Sequence, residues 1–175
     1  MAITIDRTAA DVQLAGHSNY AQVEPNHLSA PRSGGVYAQL PAADSIEVLE
    51  QGTFVKYDYA NGEVNFTGEG PWMMVFNEEK LYDEHKQMHR DFAMLKADAI
   101  DGTITPRVFR MYAGDVFTTN AVAAGSYEIA DKLAPGADGI LAAAADSATG
   151  LVCQVVKTYT LADGQPAVKV QVISE

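Results

Sequence analysis

Hydrophobic and polar residues alternate from Ser45 onward, which predicts β-strands exposed on one side. Asn61 and Gly62 lie between two alternating runs. This dipeptide is typical of a two-residue hairpin, because a type I′ turn requires a positive φ at both central positions. A Gly-Pro turn and an apolar run from Trp72 to Phe76 follow. The sequence therefore predicts a hairpin and a third strand in this part of the chain.

A different period follows Asn77, which is a suitable N-cap for a helix. Apolar side chains and one histidine recur at spacings of three and four residues, which is the period of one helical face. These residues are Leu81, His85, Met88, Phe92 and Leu95. The pattern predicts one prominent amphipathic α-helix over about residues 78–98.

Short apolar runs separated by glycine turns fill residues 101–175. The glycines are Gly102, Gly114, Gly125, Gly136, Gly139, Gly150 and Gly164. Strands and helices do not alternate here, so a parallel nucleotide-binding sheet is not expected. Short strands at such spacing favour a small antiparallel β-barrel or sandwich. The predicted fold class is mainly β with one prominent helix (α+β), and residues 45–100 and 101–175 are expected to pack as one domain.

The alanine run from Ala142 to Ala145 could suggest a helix, but its surroundings oppose one. Pro135 and Gly136 stop a helix before it, and Asp138-Gly139 reads as a hairpin turn. Four alanines are too few for a stable isolated helix. A short strand over residues 140–142, followed by a polar loop, is the better interpretation.

Residues 1–44 are rich in proline, glycine and small polar residues, which forbids a long helix and interrupts any strand. The segment is predicted to be an extended N-terminal arm that becomes ordered on a partner. Truncation of the arm is expected to leave a folded domain that no longer attaches. The residues expected to contact the partner are Tyr20, Val36, Tyr37 and Leu40.

The formal net charge of −11 and the pI near 4.6 argue against a nucleic-acid or anionic-membrane surface, because neither attracts an acidic protein. The single cysteine, Cys153, cannot form an internal disulfide and lies in an apolar run, so an inert buried thiol is expected. The N-terminus lacks the apolar stretch of a signal peptide, and a cytoplasmic product is expected.

His85 and His89 are spaced as two metal ligands on one helical face would be. In zinc proteases with this spacing a glutamate follows the first histidine, whereas Lys86 stands here. The two histidines are weak metal candidates that more often pack beside an apolar stripe. No nucleophile-elbow motif occurs in the sequence. The acidic residues carry no pattern of a catalytic pair, and neither a cofactor nor an enzymatic activity is expected.

Aromatic residues in the hairpin region could line a carbohydrate platform if they projected from one sheet face. They are Tyr57, Tyr59, Phe66 and Trp72. The alternative, which we prefer, is an aromatic cluster that packs the predicted helix onto the hairpin.

The C-terminal string over residues 110–173 resembles the small β-barrel of tailed-bacteriophage head decoration proteins. Gly114-Asp115 opens the pattern, Asp138-Gly139 forms its turn, Gly150 precedes the next strand, and alternating valines occupy residues 168–172. The resemblance implies a structural protein on the capsid surface of a virion, made in the host cytoplasm. The implied partners are the major capsid protein and neighbouring copies of the chain, without nucleic acid or membrane, in an oligomeric arrangement on the capsid.

Three other functions remain open on the sequence. One is a different virion role, such as a head–tail connector or tail tube, since tube proteins also combine barrels with a flanking helix. The second is a carbohydrate- or receptor-binding β module. The third is a small metal-dependent enzyme that uses His85 and His89.

Overall fold

A computed structural model describes residues 1–6, 21–37, 40–77 and 93–175. These residues form one four-residue helix, two 3-10 turns and strands β1 to β15. In chain order the elements are β1 (Ile3–Ile5), β2 (Val23–His27), α1 (Ala30–Ser33), β3 (Val36–Tyr37), β4 (Val48–Glu50), β5 (Phe54–Asp58), β6 (Glu63–Asn65), β7 (Trp72–Val75), β8 (Ala93–Leu95), the 3-10 turns Lys96–Asp98 and Ile100–Gly102, β9 (Val108–Arg110), β10 (Val116–Thr119), β11 (Gly125–Tyr127), β12 (Lys132–Pro135), β13 (Leu141–Ala143), β14 (Val152–Thr160) and β15 (Pro166–Ser174).

The strands pair antiparallel, so the described part of the chain is mainly β, as predicted. A six-stranded sheet has the order β13-β12-β14-β15-β10-β2, and a five-stranded sheet has the order β3-β9-β7-β5-β6. The β5–β6 hairpin turns at Asn61-Gly62, where Gly62 has a φ of 69°. The predicted hairpin is therefore confirmed, and glycine takes that positive φ without a steric penalty. The two-residue type I′ turn is wrong, because Asp58 pairs with Glu63 across a four-residue loop and Asn61 does not have a positive φ.

The two large sheets share one hydrophobic core. Phe54 and Met74 reach it from the five-stranded sheet, and Phe117 and Val170 reach it from the six-stranded sheet. From Val168 onward, β15 buries every second residue, with the valines of the last strand inside as the sequence indicates. Burial of this apolar area is the main stabilising contribution to the packing of the two sheets.

The other face of the five-stranded sheet covers a second core cluster. Val55, Met73 and Val108 contribute from the sheet, and Ile46 and Leu49 contribute from the segment that runs past it. This sheet is consequently apolar on both faces.

Three strands from the predicted N-terminal arm belong to sheets of the fold. β1 pairs with β11, β2 is an edge of the six-stranded sheet, and β3 is an edge of the five-stranded sheet. Ile5 and Val23 are buried in the shared core. The described parts of residues 1–44 therefore consist of three strands paired within the chain and the short helix α1.

The sequence predicted a β-barrel or a sandwich. Neither large sheet closes into a barrel in the part of the chain that the structure describes, so the barrel alternative is not observed. The six-stranded sheet ends at β13 and β2, and the five-stranded sheet ends at β3 and β6. The barrel was predicted from regular turn spacing, which fixes the lengths of strands but not whether the first and last strands meet.

The predicted helix over about residues 78–98 is wrong at its C-terminal end. Residues 93–95 form β8, where Leu49 pairs with Met94, and a 3-10 turn follows at Lys96–Asp98. Leu49 on β4 is fully buried, so the pairing of β8 with β4 is supported by burial of apolar surface. This stabilisation outweighs the helical spacing of apolar residues, which in residues 93–98 rests on Leu95 alone. Residues 78–92 lie outside the described ranges.

Candidate functional site

A cleft of about 320 Å³ lies against the five-stranded sheet. Tyr37 and Leu40 reach it from the N-terminal segment, Met73 from β7 and Arg110 from β9. The side chains of Tyr57 and Tyr59, together with Pro71, complete the wall. We call this the tyrosine cleft. It joins residues that are far apart in the sequence.

Strand register explains why Met73 and Arg110 meet there. The two residues are direct partners in the β7–β9 ladder, and Met73 is also the partner of Val55 on β5. Directly paired residues point to the same side of a sheet. Arg110 therefore projects on the same face as the second core cluster, beyond its buried residues.

Close packing of a glycine loop sets the position of Tyr57. Gly70 donates its N–H to the Tyr57 carbonyl oxygen at 3.0 Å. A Cβ added at Gly68 would lie 2.6 Å from that same oxygen, and one at Gly70 would lie 3.1 Å from the Tyr57 Cβ. Larger residues in this loop would push it away from β5. The loop then leads directly into Pro71, which forms part of the cleft wall.

The two tyrosines on the β5 side form an edge-to-face pair. Their ring centroids are 5.0 Å apart and the rings are inclined at 68°. Tyr59 is 63% exposed, and Tyr37 across the cleft is 44% exposed. Both therefore present ring surface that a ligand can cover. An inclined pair does not form the flat face on which a sugar ring stacks.

Arg110 is the one side chain in the described part of the chain with a buried polar atom, its Nε, that has no hydrogen-bond partner. Its guanidinium carbon lies 5.4 Å from the centre of the Tyr112 ring. An unpaired buried donor costs roughly 1–3 kcal/mol. The cation is thus held by packing against an aromatic ring rather than by an acid.

A second cavity of about 340 Å³ adjoins the tyrosine cleft, and the two share Pro71 and Arg110. Lys56 lies over the Trp72 ring here, with its Nζ 4.8 Å from the ring centre, and Glu175 is also in the wall. Neither Lys56 nor Arg110 forms an ion pair with any residue that the structure describes. This cavity of a strongly acidic protein is thus lined by two cations that have no ion pair among the described residues.

The nearby carboxylate of Asp58 is engaged within its own turn. It accepts hydrogen bonds from the backbone N–H of Ala60 and Asn61 and from the side-chain amides of Asn61 and Asn65. The bonds from Asn61 lower the pKa of Asp58 most, with smaller contributions from Asn65 and Ala60. Asp58 is therefore committed to the hairpin.

The residues predicted to bind a partner are divided by the structure. Tyr37 and Leu40 lie in the tyrosine cleft, and Val36 is half-buried beside Phe109 in the β3–β9 ladder. Tyr20 lies outside the described residues, as do the metal candidates His85 and His89. Whether these residues join the same surface stays a prediction.

The aromatic residues considered as a carbohydrate platform also separate. Tyr57 and Tyr59 line the cleft, Trp72 lines the adjoining cavity, and Phe66 packs against the second core cluster. Sequence reasoning did not identify Arg110. The available signal was a cation inside the apolar run from Val108 to Tyr112.

Two further candidate groups are the single thiol and a possible metal site. Cys153 is fully buried, and burial raises its pKa to about 12, as expected for an inert thiol. Among the described residues no group of three or more histidine, cysteine or acidic side chains is placed to hold a metal ion. The helices within the described ranges are all too short or too polar to cross a membrane.

The fold and cleft thus define a mainly β protein with two large packed sheets and an aromatic, cationic cleft at the side of one of them. No protein-family model matches the sequence, and comparisons with curated proteins and with solved structures gave no match.

Proposed function

We propose that the protein is a structural component of a tailed-bacteriophage virion, a decoration protein that binds and stabilises the outer capsid shell. The observation that carries the proposal is the arrangement of the segments that resemble decoration proteins. The Gly114-Asp115 turn leads into β10, the Asp138-Gly139 turn joins β12 to β13, and Gly150 precedes β14. All of these strands, with β15, belong to one antiparallel sheet.

The surface properties also suit this role. The net charge of −11 keeps the protein soluble and repels it from packaged nucleic acid. Strands at sheet edges can pair with an extended segment of a neighbouring protein, and repeated weak contacts give tight attachment to a shell. In this proposal the attachment surface is the tyrosine cleft with edge strand β3, and the N-terminal segment supports that surface.

Copurification tests the proposal directly. Virus-sized particles from lysates that contain the protein are separated on a density gradient, and the protein is quantified against the major capsid protein. We expect many copies per particle and lower thermal stability of particles that lack it. Recovery only as free protein would contradict any virion role. A few copies at the neck or tail would instead favour a connector or tail component.

A carbohydrate- or receptor-binding role is less favoured by the cleft. A sugar needs a flat aromatic face and many polar partners for its hydroxyl groups. The Tyr57 and Tyr59 rings are inclined at 68°, and Leu40, Pro71 and Met73 provide apolar wall.

A further inference from the structure

We propose that the tyrosine cleft binds an extended acidic segment of a partner protein, with a carboxylate on Arg110 and an adjacent apolar side chain between the tyrosines. The inference rests on the proposed function for the location of the partner, which is the capsid shell. Its binding chemistry is a property of the isolated chain and can be tested separately.

The first step concerns Arg110. Its Nε is buried and makes no hydrogen bond within the described ranges, and Arg110 lines both cavities. A carboxylate accepts two parallel hydrogen bonds from a guanidinium, which is the strongest neutral-pH pairing available to this side chain. A small rotation of Arg110 toward the cleft would give the buried donor a partner.

The second step concerns charge. The chain carries 12 lysines and arginines against 23 acidic residues. Arg110 lines both cavities and Lys56 lines the second one, and neither has an ion pair with a described residue. The acidic remainder of the surface repels a second acidic segment. A carboxylate that binds in the tyrosine cleft must therefore be held by Arg110, the one cation among the described residues that line it.

The third step concerns the apolar wall. Leu40, Pro71 and Met73 line the cleft between the exposed rings of Tyr37 and Tyr59. An apolar side chain of a bound segment would be removed from water by these walls. The tyrosine hydroxyls at the rim can form hydrogen bonds with a peptide backbone. Few polar groups are present to replace the water around a sugar. The wall therefore favours a peptide.

The fourth step concerns the sheet edge. Tyr37 belongs to β3, which pairs only with β9 in the part of the chain that is described. An extended segment beside β3 places alternate side chains on one face of the sheet. An acidic and an apolar residue two positions apart in such a segment would reach Arg110 and the apolar wall together.

The test measures binding of a short fluorescent peptide in which aspartate and leucine lie two positions apart, separated by serine, so that both face the same side of an extended segment. It uses the full chain and fluorescence anisotropy. The matched peptide carries asparagine in place of aspartate. Free galacturonate and acetate are added as competitors. We expect the acidic peptide to bind with a dissociation constant below about 1 mM. The asparagine peptide should bind at least about tenfold more weakly, because it lacks the charge-assisted pair.

Variants locate the site. Arg110→Gln is expected to weaken binding of the acidic peptide by about tenfold or more. The affinity of Arg110→Lys should lie between that of Arg110→Gln and that of the natural chain. Arg32→Gln removes the same charge from an exposed position outside the cleft, and it should leave binding unchanged. Tyr59 is largely exposed, so Tyr59→Ala should weaken binding without affecting folding. It therefore tests the cleft even if the Arg110 variants fail to fold.

The inference would be overturned if Tyr59→Ala and Arg110→Gln both bound the peptide as tightly as the natural chain does. It would also be overturned if the natural chain did not bind the peptide. Binding of galacturonate in preference to the peptide would assign the cleft to an acidic sugar and also overturn it. The same variants are then tested for attachment to particles. If Arg110→Gln still attaches as well as the natural chain, the cleft is not the docking site although the virion role stands. If the natural chain does not attach, the proposed function fails while the peptide result keeps its meaning.

Discussion

The side-chain amide of Gln51 pairs with the backbone of Asn77 as a neighbouring strand would. It donates to the Asn77 carbonyl oxygen at 2.8 Å and accepts from the Asn77 N–H at 2.7 Å. Both residues are buried, with Gln51 only 1% exposed. One side chain thus completes the hydrogen bonding of the backbone just beyond β7, where no strand pairs with it among the described residues.

Gln51→Leu tests this contact. The substitution leaves a buried N–H and a buried carbonyl without partners, so the free energy of unfolding should fall by about 2–5 kcal/mol. Gln154→Leu is the matched control, because that amide makes one 3.3 Å bond at an exposed site. The control should change stability by less than about 1 kcal/mol. Similar midpoints of urea unfolding for both variants would contradict the role of Gln51.

Asp115 holds the N-terminal segment against the six-stranded sheet. Its fully buried carboxylate accepts the Ser29 N–H at 2.8 Å and the Tyr112 N–H at 3.0 Å. Asp115→Asn replaces one acceptor by an amide donor, and we expect a loss of about 1–3 kcal/mol in unfolding free energy. Asp131→Asn changes an exposed carboxylate that accepts the Glu128 N–H. It should therefore lower the free energy of unfolding by less than Asp115→Asn does. Hydrogen exchange of Ser29 should rise only in the Asp115 variant.

Local patterns in the sequence were sufficient to predict several strands. The Asn61-Gly62 hairpin, the strand beginning at Trp72 and the valine alternation near the C-terminus all depend on residues close together in the chain. The alanine run likewise forms a strand, at Leu141–Ala143, one residue later than predicted at both ends. Turn chemistry and a period of two require no knowledge of the rest of the fold.

Contacts between distant residues could not be predicted in the same way. Val23 pairs with Thr119, and Tyr37 meets Arg110 in the cleft, across separations that no short pattern encodes. The proline-rich composition indicated an extended arm that becomes ordered on a partner. In the structure, polar residues of the fold bind that segment, as Asp115 does by accepting the Ser29 N–H. Candidate partner residues Tyr37 and Leu40 were identified as isolated anchors, while Arg110 becomes notable only once its missing hydrogen bond is known.

Gly139 is expected to be the glycine least tolerant of substitution. It has a φ of +75°, and a Cβ there would lie 2.1 Å from the Phe54 carbonyl oxygen. Its own carbonyl accepts the Phe54 N–H at 2.7 Å, so the backbone cannot move away without losing that bond. Gly139→Ala should therefore destabilise the fold by more than about 3 kcal/mol or prevent folding.

Gly164 provides the matched comparison for Gly139. It also has a positive φ, of +90°, but nothing lies within 4 Å of an added Cβ. Gly164→Ala should lower the free energy of unfolding by only about 1–2 kcal/mol, which is the cost of a left-handed backbone conformation for a residue with a Cβ. Urea unfolding of both variants separates the two contributions. Equal losses would show that the contact with Phe54 relaxes.

Asp58 gives the hairpin a pH dependence. Hydrogen bonds from Asn61, followed by those from Asn65 and Ala60, lower its pKa from the usual 3.8. A group whose pKa is lower in the folded state stabilises it above the unfolded pKa, and the contribution disappears as pH falls through the folded pKa. The difference in thermal midpoint between the natural chain and Asp58→Ala should therefore be constant near neutral pH and shrink below about pH 4. A difference independent of pH would assign the effect to packing alone.

Cys153 offers a direct measurement of opening of the shared core. It is the only cysteine, it is fully buried in β14, and burial raises its pKa to about 12. A thiol must be accessible and deprotonated to attack a disulfide reagent. Near pH 8 the native protein should therefore react only through transient unfolding, at a rate that rises with urea in proportion to the unfolded population.

Gly164→Ala, which lowers stability without touching the core, should accelerate the reaction by the same factor as its change in unfolding equilibrium. Rapid stoichiometric reaction without denaturant would contradict the burial of Cys153, and acceleration without a matching stability change would indicate local opening of β14.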